Sequence, residues 1–502
     1  MQARHTLHTD ARLGRAPSQL LSEHVIRPRL GLDLAMFESY LAVDRAHVVM
    51  LVQKELIDRD AGRDLLVALE ELRADGPRGL DVDARRGTLL FQVEHRLSER
   101  LGEATAGLLH LARSQIDQGA AFHRLFCRDR LLDLLDLLSA WQATLLERAA
   151  AEADTLMPGY THLQHAQPWT LGHYLHAQAA RAERDADRLL AAYHRTNLSA
   201  LGSVALAGTS WDVDRELVAR LLGHDAVVAN AHDAGFFTMD FVAELAGSLA
   251  ILLGTVGRLA ADLDVWSTYE HGLVELDAAL CGTSSNMPQK RNNYALERIR
   301  AVAAEATGWL STHLAVSAMP SSTSCDLAFS SGELPSWFAR TEGALCLATE
   351  VVSSLRFDRQ AAARAAGANW STASHLADEL VRRAGLDFRT AHGVVGTLVR
   401  RSLAASRPPV SIGPTELGNA LREHGLDADL AGLVDVAAAL DPVEFVRTRT
   451  SAGGLAPDEV QSLLAASRRR LDRQLATLAD ARGRVRDACA ALDREVAAIV
   501  AG

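Results

Sequence analysis

This chain of 502 residues is poor in cysteine, in proline and in aromatic residues. Its five cysteines, Cys127, Cys281, Cys325, Cys346 and Cys489, lie far apart and form no CxxC pair. That spacing argues against a zinc site or a disulfide framework and fits a reducing, cytoplasmic setting. Cys281 reads as a small packed hydrophobe rather than a nucleophile. Aromatics are only 5% of the chain, inside a 48% apolar share dominated by alanine and leucine. Both are strong helix formers, and the 13 prolines leave long stretches uninterrupted. There is no basic excess. The net charge of −11 gives no reason to expect nucleic acid or an anionic membrane as a partner. The first 20 residues have no apolar core of a secretory signal. The longest apolar run, 245–257, is too short to span a bilayer and reads as a helix buried on all sides, as at the centre of a bundle. The composition predicts an all-α protein that is soluble and cytoplasmic, with no membrane or nucleic-acid partner.

Helical patterning is expected from Ala35 onward, after an irregular, polar stretch over 1–30. Asp75-Gly76-Pro77 reads as a turn. Residues 93–150 carry helical patterns, with a clear apolar stripe at 131–146. Pro158-Gly159-Tyr160-Thr161-His162 breaks the phase. Long helices are predicted over 170–197, 233–266, 294–316 and 340–355, and 201–210 is a loop of small residues. Short helices follow over 373–402. After Arg407-Pro408-Pro409, short helices alternate with turns, so the chain from about 360 reads as a separate C-terminal unit. Broad apolar faces with few charges imply that the helices form bundles and that bundles pack on one another, so oligomerisation is expected. No fixed-period repeat is present.

Three polar segments interrupt these patterns. The most informative is 282–292, Gly282-Thr283-Ser284-Ser285-Asn286-Met287-Pro288-Gln289-Lys290-Arg291-Asn292. Small residues let the backbone approach a ligand, hydroxyls and amides donate hydrogen bonds, and the lysine supplies charge. The composition suits a loop closing over an anion, here a carboxylate-bearing small molecule. The bland alternative, an ordinary glycine-hinged loop, does not explain Ser-Ser, Met-Pro and Lys-x-Asn together. The second segment is Pro158-Gly159-Tyr160-Thr161-His162-Leu163-Gln164. Its Pro-Gly makes a turn, Thr161 can cap the next helix, and His162 is either an acid/base or a satisfied core histidine. The third is Arg113-Ser114-Gln115-Ile116-Asp117-Gln118, which also reads as a helix N-cap, with Ser114 as cap and Asp117 three residues on.

In this order and at these spacings the segments resemble those of the fumarase/aspartase superfamily, and among them the argininosuccinate lyases. That family's loop reads roughly GSSxMPxKxN, against TSSNMPQKRN here. Pro158 to Gln164 with Ala166-Gln167-Pro168, Val274-Glu275-Leu276-Asp277, Leu206-Ala207-Gly208-Thr209 and Phe388-Arg389-Thr390-Ala391-His392 are also similar. The likeness runs from about Met36 to Val399.

The resemblance implies three mostly helical domains: an N-terminal one over 1–110, a central long-helix bundle over 111–360 carrying the catalytic loop, and a C-terminal one over 361–502. It implies a homotetramer in which four bundles share one core and each active site draws the three segments from three subunits. It implies a carbon–nitrogen lyase releasing fumarate from an N-substituted succinate by general-base β-elimination, or running the reverse addition, with no metal and no cofactor. Ser284 would be the general base. His162 would pair with Glu297, and Lys290 would stabilise charge. Ser114, Thr161, Gln164, Ser285, Met287 and Asn292 would hold the dicarboxylate substrate.

The chain departs from this pattern in places. The family's Ser-Arg-Asn-Asp-Gln is Ser114-Gln115-Ile116-Asp117-Gln118, and isoleucine cannot replace the asparagine's hydrogen bonds. Thr323, Ala328 and Ser331 stand where the family has tyrosine, glutamine and lysine. The loop's glycine is Thr283, its final proline is Asn293, and Gly235-Phe236-Phe237-Thr238-Met239 replaces an acidic-polar segment. The elimination machinery is kept and the residues for the arginine half are mostly gone. The expected substrate is therefore a different N-substituted succinate with a smaller or more apolar leaving group, in specialised metabolism. The alternatives are a true argininosuccinate lyase of arginine biosynthesis and a non-catalytic tetrameric scaffold.

Overall fold

The computed structural model describes residues 17–235, 239–318, 328–329 and 331–502. The expectations placed on Phe236, Phe237, Thr238, Thr323 and Cys325 fall outside those residues. The protein is all-α, as expected, and among the described residues it also has four two-stranded β pairs that were not expected. The irregular stretch expected up to residue 30 is helical from Gln19, through Gln19–Leu21, a π turn at Ser22–Ile26, and Arg27–Leu34. Ser18 caps it, and Leu30 and Asp33 turn inward while Arg29 pairs with Asp33 at 2.8 Å. Leu30 packs into the N-terminal apolar cluster with Ile26 and Leu34 half-buried beside it, an apolar face that the mostly polar composition hides. Helices α1 (Phe37–Gln53), α2 (Arg59–Asp75) and α3 (Leu89–Leu101) follow and bury Leu41, Val48, Leu65, Leu69 and Val93 in one apolar cluster.

Five long helices make the central bundle: α4 (Gln115–Ala151), α5 (Leu171–Thr196), α6 (Asp240–Trp266), α7 (Tyr294–Ser317) and α8 (Leu334–Ser354). Cross-contacts fix their directions. The Tyr174 hydroxyl donates to Asp262 at 2.7 Å and Arg195 pairs with Glu244, so α5 and α6 run antiparallel. Asn293 donates to Asp264 at 2.8 Å, and His313 Nε2 lies 3.2 Å from the Met239 carbonyl, which sets α7 antiparallel to α6. Phe126 meets Phe338, and Arg148 donates to the Leu355 carbonyl, so α8 runs with α4. The bundle therefore has two ends. One carries 113–118, 197–210 and the approach to α6. The other carries 152–170, 267–293 and 355–366.

The leucine stripe of α4 packs as its spacing predicts: Leu131, Leu135, Leu138, Trp141 and Leu145 are fully buried. The 245–257 run proves to be part of a longer helix. At 27 residues α6 is long and apolar enough, by length and composition, to cross a bilayer. Its place is inside the bundle, where Leu245, Leu249, Leu252, Leu253 and Val256 pack against α5, α7 and α8. Nor is it buried on all sides in a single chain. Three neighbouring helices leave a stripe of Ile251, Gly254, Arg258 and Val265 facing outward. The adjoining face of α7 is also open and small: Ala301, Ala304, Thr307, Gly308, Ser311 and Ala315 are exposed, with Leu314 among them.

A third apolar cluster lies within 370–440, built on α9 (Ala373–Ala384) and α10 (Phe388–Ala404). After it comes α11 (Pro457–Ala501), the longest helix described, where short helices and turns were expected. Its 45 residues span about 67 Å. Val460, Leu464, Leu471 and Leu478 enter the central cluster, and Leu492, Val496 and Ile499 the first. The apolar residues are sparse among arginines, and the helix is held by what it packs against.

Candidate active site

At one end of α4, Ser114 caps the helix: its Oγ accepts the Ile116 N–H at 3.3 Å, and Asp117 accepts the Ser114 N–H at 2.8 Å. The capping box read from the sequence is present. Beneath it lies a buried ion pair, Arg113 to Asp44, with both side chains at 0% exposure. Gln118 also donates to Asp44, at 2.7 Å. Burial pushes the Asp44 carboxyl up, and Arg113 and Gln118 pull it back. Asp117 is buried too. Desolvation pushes its carboxyl up to about 6, against backbone N–H groups and the nearby Arg113, which favour the anion.

At the other end, Pro158 and Thr161 do not form a turn and a helix cap. They belong to strand β1 (Leu156–Thr161), paired with β2 (Gln164–Thr170), and the cap of α5 is Thr170, whose Oγ1 accepts the His173 N–H at 3.2 Å. The reason lies in the pairing. Pro158 sits opposite Pro168, and the register then shifts at a bulge in which Ala166 and Gln167 face Gly159, where a Cβ would meet the Gln167 carbonyl oxygen at 2.5 Å. His162 and Leu163 are the two tip residues, closed by Thr161 opposite Gln164. Both have positive φ, the geometry of a type I′ turn, which normally takes asparagine or glycine. Thr161, His162, Leu163 and Gln164 are all exposed, which removes the core-histidine reading for this chain. His165 and Gln167 brace the hairpin from the C-terminal side, His165 Nε2 at 2.8 Å from the Ala365 carbonyl and Gln167 donating to Ser374 Oγ at 3.0 Å.

The 282–292 loop is a small hairpin at that same end. Gly282 pairs with Asn292 and Thr283 with Arg291, and Arg291 is anchored to Glu275 and the Leu276 carbonyl. Gly282 lies close under the Tyr294 ring, which a Cβ there would displace. Asn293, in place of the family's proline, donates to Asp264 and to Ser267, both at 2.8 Å. At the tip, Ser284 Oγ accepts two backbone N–H groups, from Asn286 at 3.3 Å and Met287 at 3.0 Å. Two of the loop's amides thus point at the serine oxygen. Ser285, Met287 and Lys290 are exposed, Ser284 and Asn292 half-buried. Glu297 is exposed on the first turn of α7.

The structure brings the 282–292 loop, Glu297 and the His162 hairpin to one end of the bundle, where the Tyr160 ring also lies 6.0 Å from that of His271. Ser114 is at the other end. The 37 residues of α4 between them span about 55 Å. Among the described residues no hydrogen bond or ion pair joins the three segments, and none joins His162 to Glu297 in one chain. A cavity of about 560 Å³ opens between α9 and α10, lined by Ser374, His392 and Arg400 among others, and contains none of the expected site residues. Among the described residues no group of His, Cys, Asp or Glu side chains is arranged to hold a metal. Two features are not legible in the sequence: the bonds from Asp117 to the 202–204 backbone and the Asp44–Arg113 pair. Asp44 lies 69 positions from Arg113, and no local pattern marks it.

Comparison with known proteins decides the family. A lyase family model matches residues 37–308, and an argininosuccinate lyase C-terminal model matches 370–447. The chain belongs to the argininosuccinate lyase-like branch of the fumarase/aspartase superfamily. Like the argininosuccinate lyases it resembles, it is a carbon–nitrogen lyase. It is 36% identical to the argininosuccinate lyase of Methanocaldococcus jannaschii over 445 residues, 88% of this chain and 90% of that protein. It is 39% identical to that of Halobacterium salinarum over 453 residues, 89% and 90%. Among solved structures, a variant of EDDS lyase with bound fumarate superposes with a TM-score of 0.84 at 30% identity, covering 95% of this chain and 97% of that one. A class II fumarase from Schistosoma mansoni shares the fold at TM-score 0.66 and 16% identity, over 82% of this chain and 91% of that one.

Proposed function

We propose that this lyase releases fumarate from an N-substituted succinate whose leaving group is smaller or more apolar than that of argininosuccinate. The observation that carries the reading is Ile116. It stands where the related lyases have a substrate-site asparagine, and its side chain leans against the central apolar cluster. Ala328 is buried at 2% exposure, and Ser331 Oγ is engaged with the Ala328 carbonyl at 3.4 Å. A polar leaving group would lose its partners at all three positions, and such losses cost orders of magnitude in rate.

The site is composite in this reading. Ser114 and His162 cannot meet within a chain whose α4 holds them about 55 Å apart. The outward stripe of Ile251, Gly254 and Val265, with the small-residue face of α7, supports a homotetramer built on α6 and α7. Each site then combines Ser114 of one copy, Thr161, His162 and Gln164 of a second, and the 282–292 loop of a third.

The chemistry follows from the loop. The proton to be removed is weakly acidic, and its loss places a second negative charge on the adjacent carboxylate. Ser284 takes that proton. Its oxygen already accepts two backbone N–H groups, which favour the alkoxide over the hydroxyl. Lys290 and Asn292 stabilise the doubly charged carboxylate. The electron pair then forms the C=C bond as the C–N bond breaks. The nitrogen leaves as a neutral amine after taking a proton, with His162 and Glu297 serving that end. Ser114, Thr161, Gln164, Ser285 and Met287 hold the substrate. No step calls for a metal or a cofactor, and the enzyme works in the cytoplasm.

Argininosuccinate itself is the second reading, favoured by the 36–39% identity to argininosuccinate lyases. Fumarate absorbance separates the two. The protein is incubated with argininosuccinate, and separately with fumarate plus a panel of small and apolar amines. Consumption of fumarate with an amine, and little release from argininosuccinate, is the expected result. Efficient argininosuccinate cleavage refutes the altered specificity.

A further inference from the structure

A capping box needs one carboxylate oxygen. Asp117 uses both, for different purposes. Oδ1 accepts the N–H groups of Ser114 at 2.8 Å and Gln118 at 3.1 Å, within its own helix start. Oδ2 accepts those of Gly202 at 2.9 Å and Val204 at 3.0 Å, some 85 positions along the chain. Asp117 is fully buried, so these four donors replace its water. The backbone on both sides is strained. Ala112, just before the Ser114 segment, has φ 58°, and Val204 has φ 59°. A β-branched residue in the left-handed region is an outlier that persists only where its surroundings force it. Val204 donates its N–H to Asp117, and the turn is closed behind it by Gly208 N–H to the Ser203 carbonyl at 3.1 Å. Beyond Val204 the loop is open: Ala205, Leu206 and Ala207 are exposed, 206–209 being the stretch that resembles the lyases. Arg215 fastens the base of the loop through the Leu201 and Val228 carbonyls, at 3.1 and 2.8 Å.

We propose that Asp117 is a positioning residue that locks the Ser114 segment and the 202–209 loop into one rigid wall of the substrate site. Only a carboxylate does this. An amide of the same size has a single acceptor oxygen, and its NH₂ group would face two N–H donors. The loop then presents its backbone beside the Ser114 hydroxyl, and a substrate carboxylate meets both at fixed spacing. This inference rests on the reading of Ser114 as a substrate contact.

The experiment uses the full-length protein and fumarate as the probe. Asp117→Asn is expected to speed amide hydrogen exchange across 200–210 by tenfold or more, while the 131–149 core of α4 keeps its protection. The fumarate Kd should rise at least tenfold. Adding Val204→Gly to that variant should recover part of the affinity, because glycine holds positive φ without the bond. In the wild type, fumarate should slow exchange in 112–118 and 200–210 together, with one concentration dependence, a measurement that needs no variant to fold. Unchanged exchange in Asp117→Asn, faster exchange with unchanged fumarate affinity, or fumarate protection of only one segment each overturns the proposal. A wild type that binds no fumarate overturns the proposed function instead, and exchange in the unliganded variant still decides whether the clamp exists.

Discussion

His162 and Leu163 stand side by side at the tip of the β1–β2 hairpin, both with left-handed backbone, at φ 56° and 59°. Neither has the glycine or asparagine such a tip favours, and Leu163 is 87% exposed, so it gains nothing from core packing. Local strain of this kind concentrates at functional sites. Leu163→Gly is expected to raise stability by about 0.5–1 kcal/mol, since relief of the strained backbone exceeds the added chain entropy. A denaturant midpoint that falls would show that the tip is not strained.

Among the described residues, the Ser284 hydroxyl is hydrogen-bonded by two backbone N–H groups of its own exposed loop. Ser284→Ala should leave helicity and assembly intact while lowering kcat by roughly 10²–10⁴. A variant of near-normal turnover, followed by fumarate absorbance, would remove the serine as base and reopen the scaffold reading.

The outward stripe of α6 offers a test of assembly. Ile251→Glu puts a charge on a face that is water-exposed in one chain and would be apolar and dry in a tetramer. The expected outcome is a folded, smaller species in sedimentation, without activity. An unchanged active assembly would place the contact elsewhere.

Removing Arg113 leaves Asp44 buried without its cation. Arg113→Met should cost about 3–5 kcal/mol, and the double change with Asp44→Leu markedly less. Equal losses in urea unfolding for the single and double variants would mean the pair is not the source.

His47 and His123 are buried and neutral, each pushed down to about 3 from 6.5 by desolvation. A base with a depressed folded pKa contributes stability that is present above 6.5 and lost as the pH falls toward 3. Asp117, pushed up to about 6, works the other way: its contribution is present below 3.8 and lost as pH rises through 6. Burial pushes His173, His176, His224, His313 and His375 down as well, and Asp33, Asp44, Asp129 and Asp185 up, so seven histidines oppose five aspartates and urea midpoints should fall from pH 6.5 downward. Replacing His123 with a neutral residue should flatten that slope, and an unchanged slope would put the acid sensitivity in other groups.

Much of this was legible in the chain. The helix from Leu171 to Thr196 matches its predicted limits because its caps, Thr170 and Asn197, are local signals. The polar segments were visible because their composition is wrong for a helix interior. The β1–β2 hairpin was not legible. Its strands are held by long-range pairing, Leu156 opposite Thr170 through Thr161 opposite Gln164, and a proline-glycine pair in isolation reads as a turn. The 45-residue α11 was also missed, since its few leucines show as one face only when α4 and α5 lie beneath them.

The sequence by itself determined the helical class, the family and the candidate chemistry. Those depend on residue identity and on spacings within one turn or one loop. Only the tertiary structure decided that Ser114 lies at the opposite end of the bundle from His162 and the Ser284 loop, and that Asp117 reaches the 202–204 backbone. Both depend on the direction in which long helices run and on hydrogen bonds between residues far apart in the chain, and no local pattern records either.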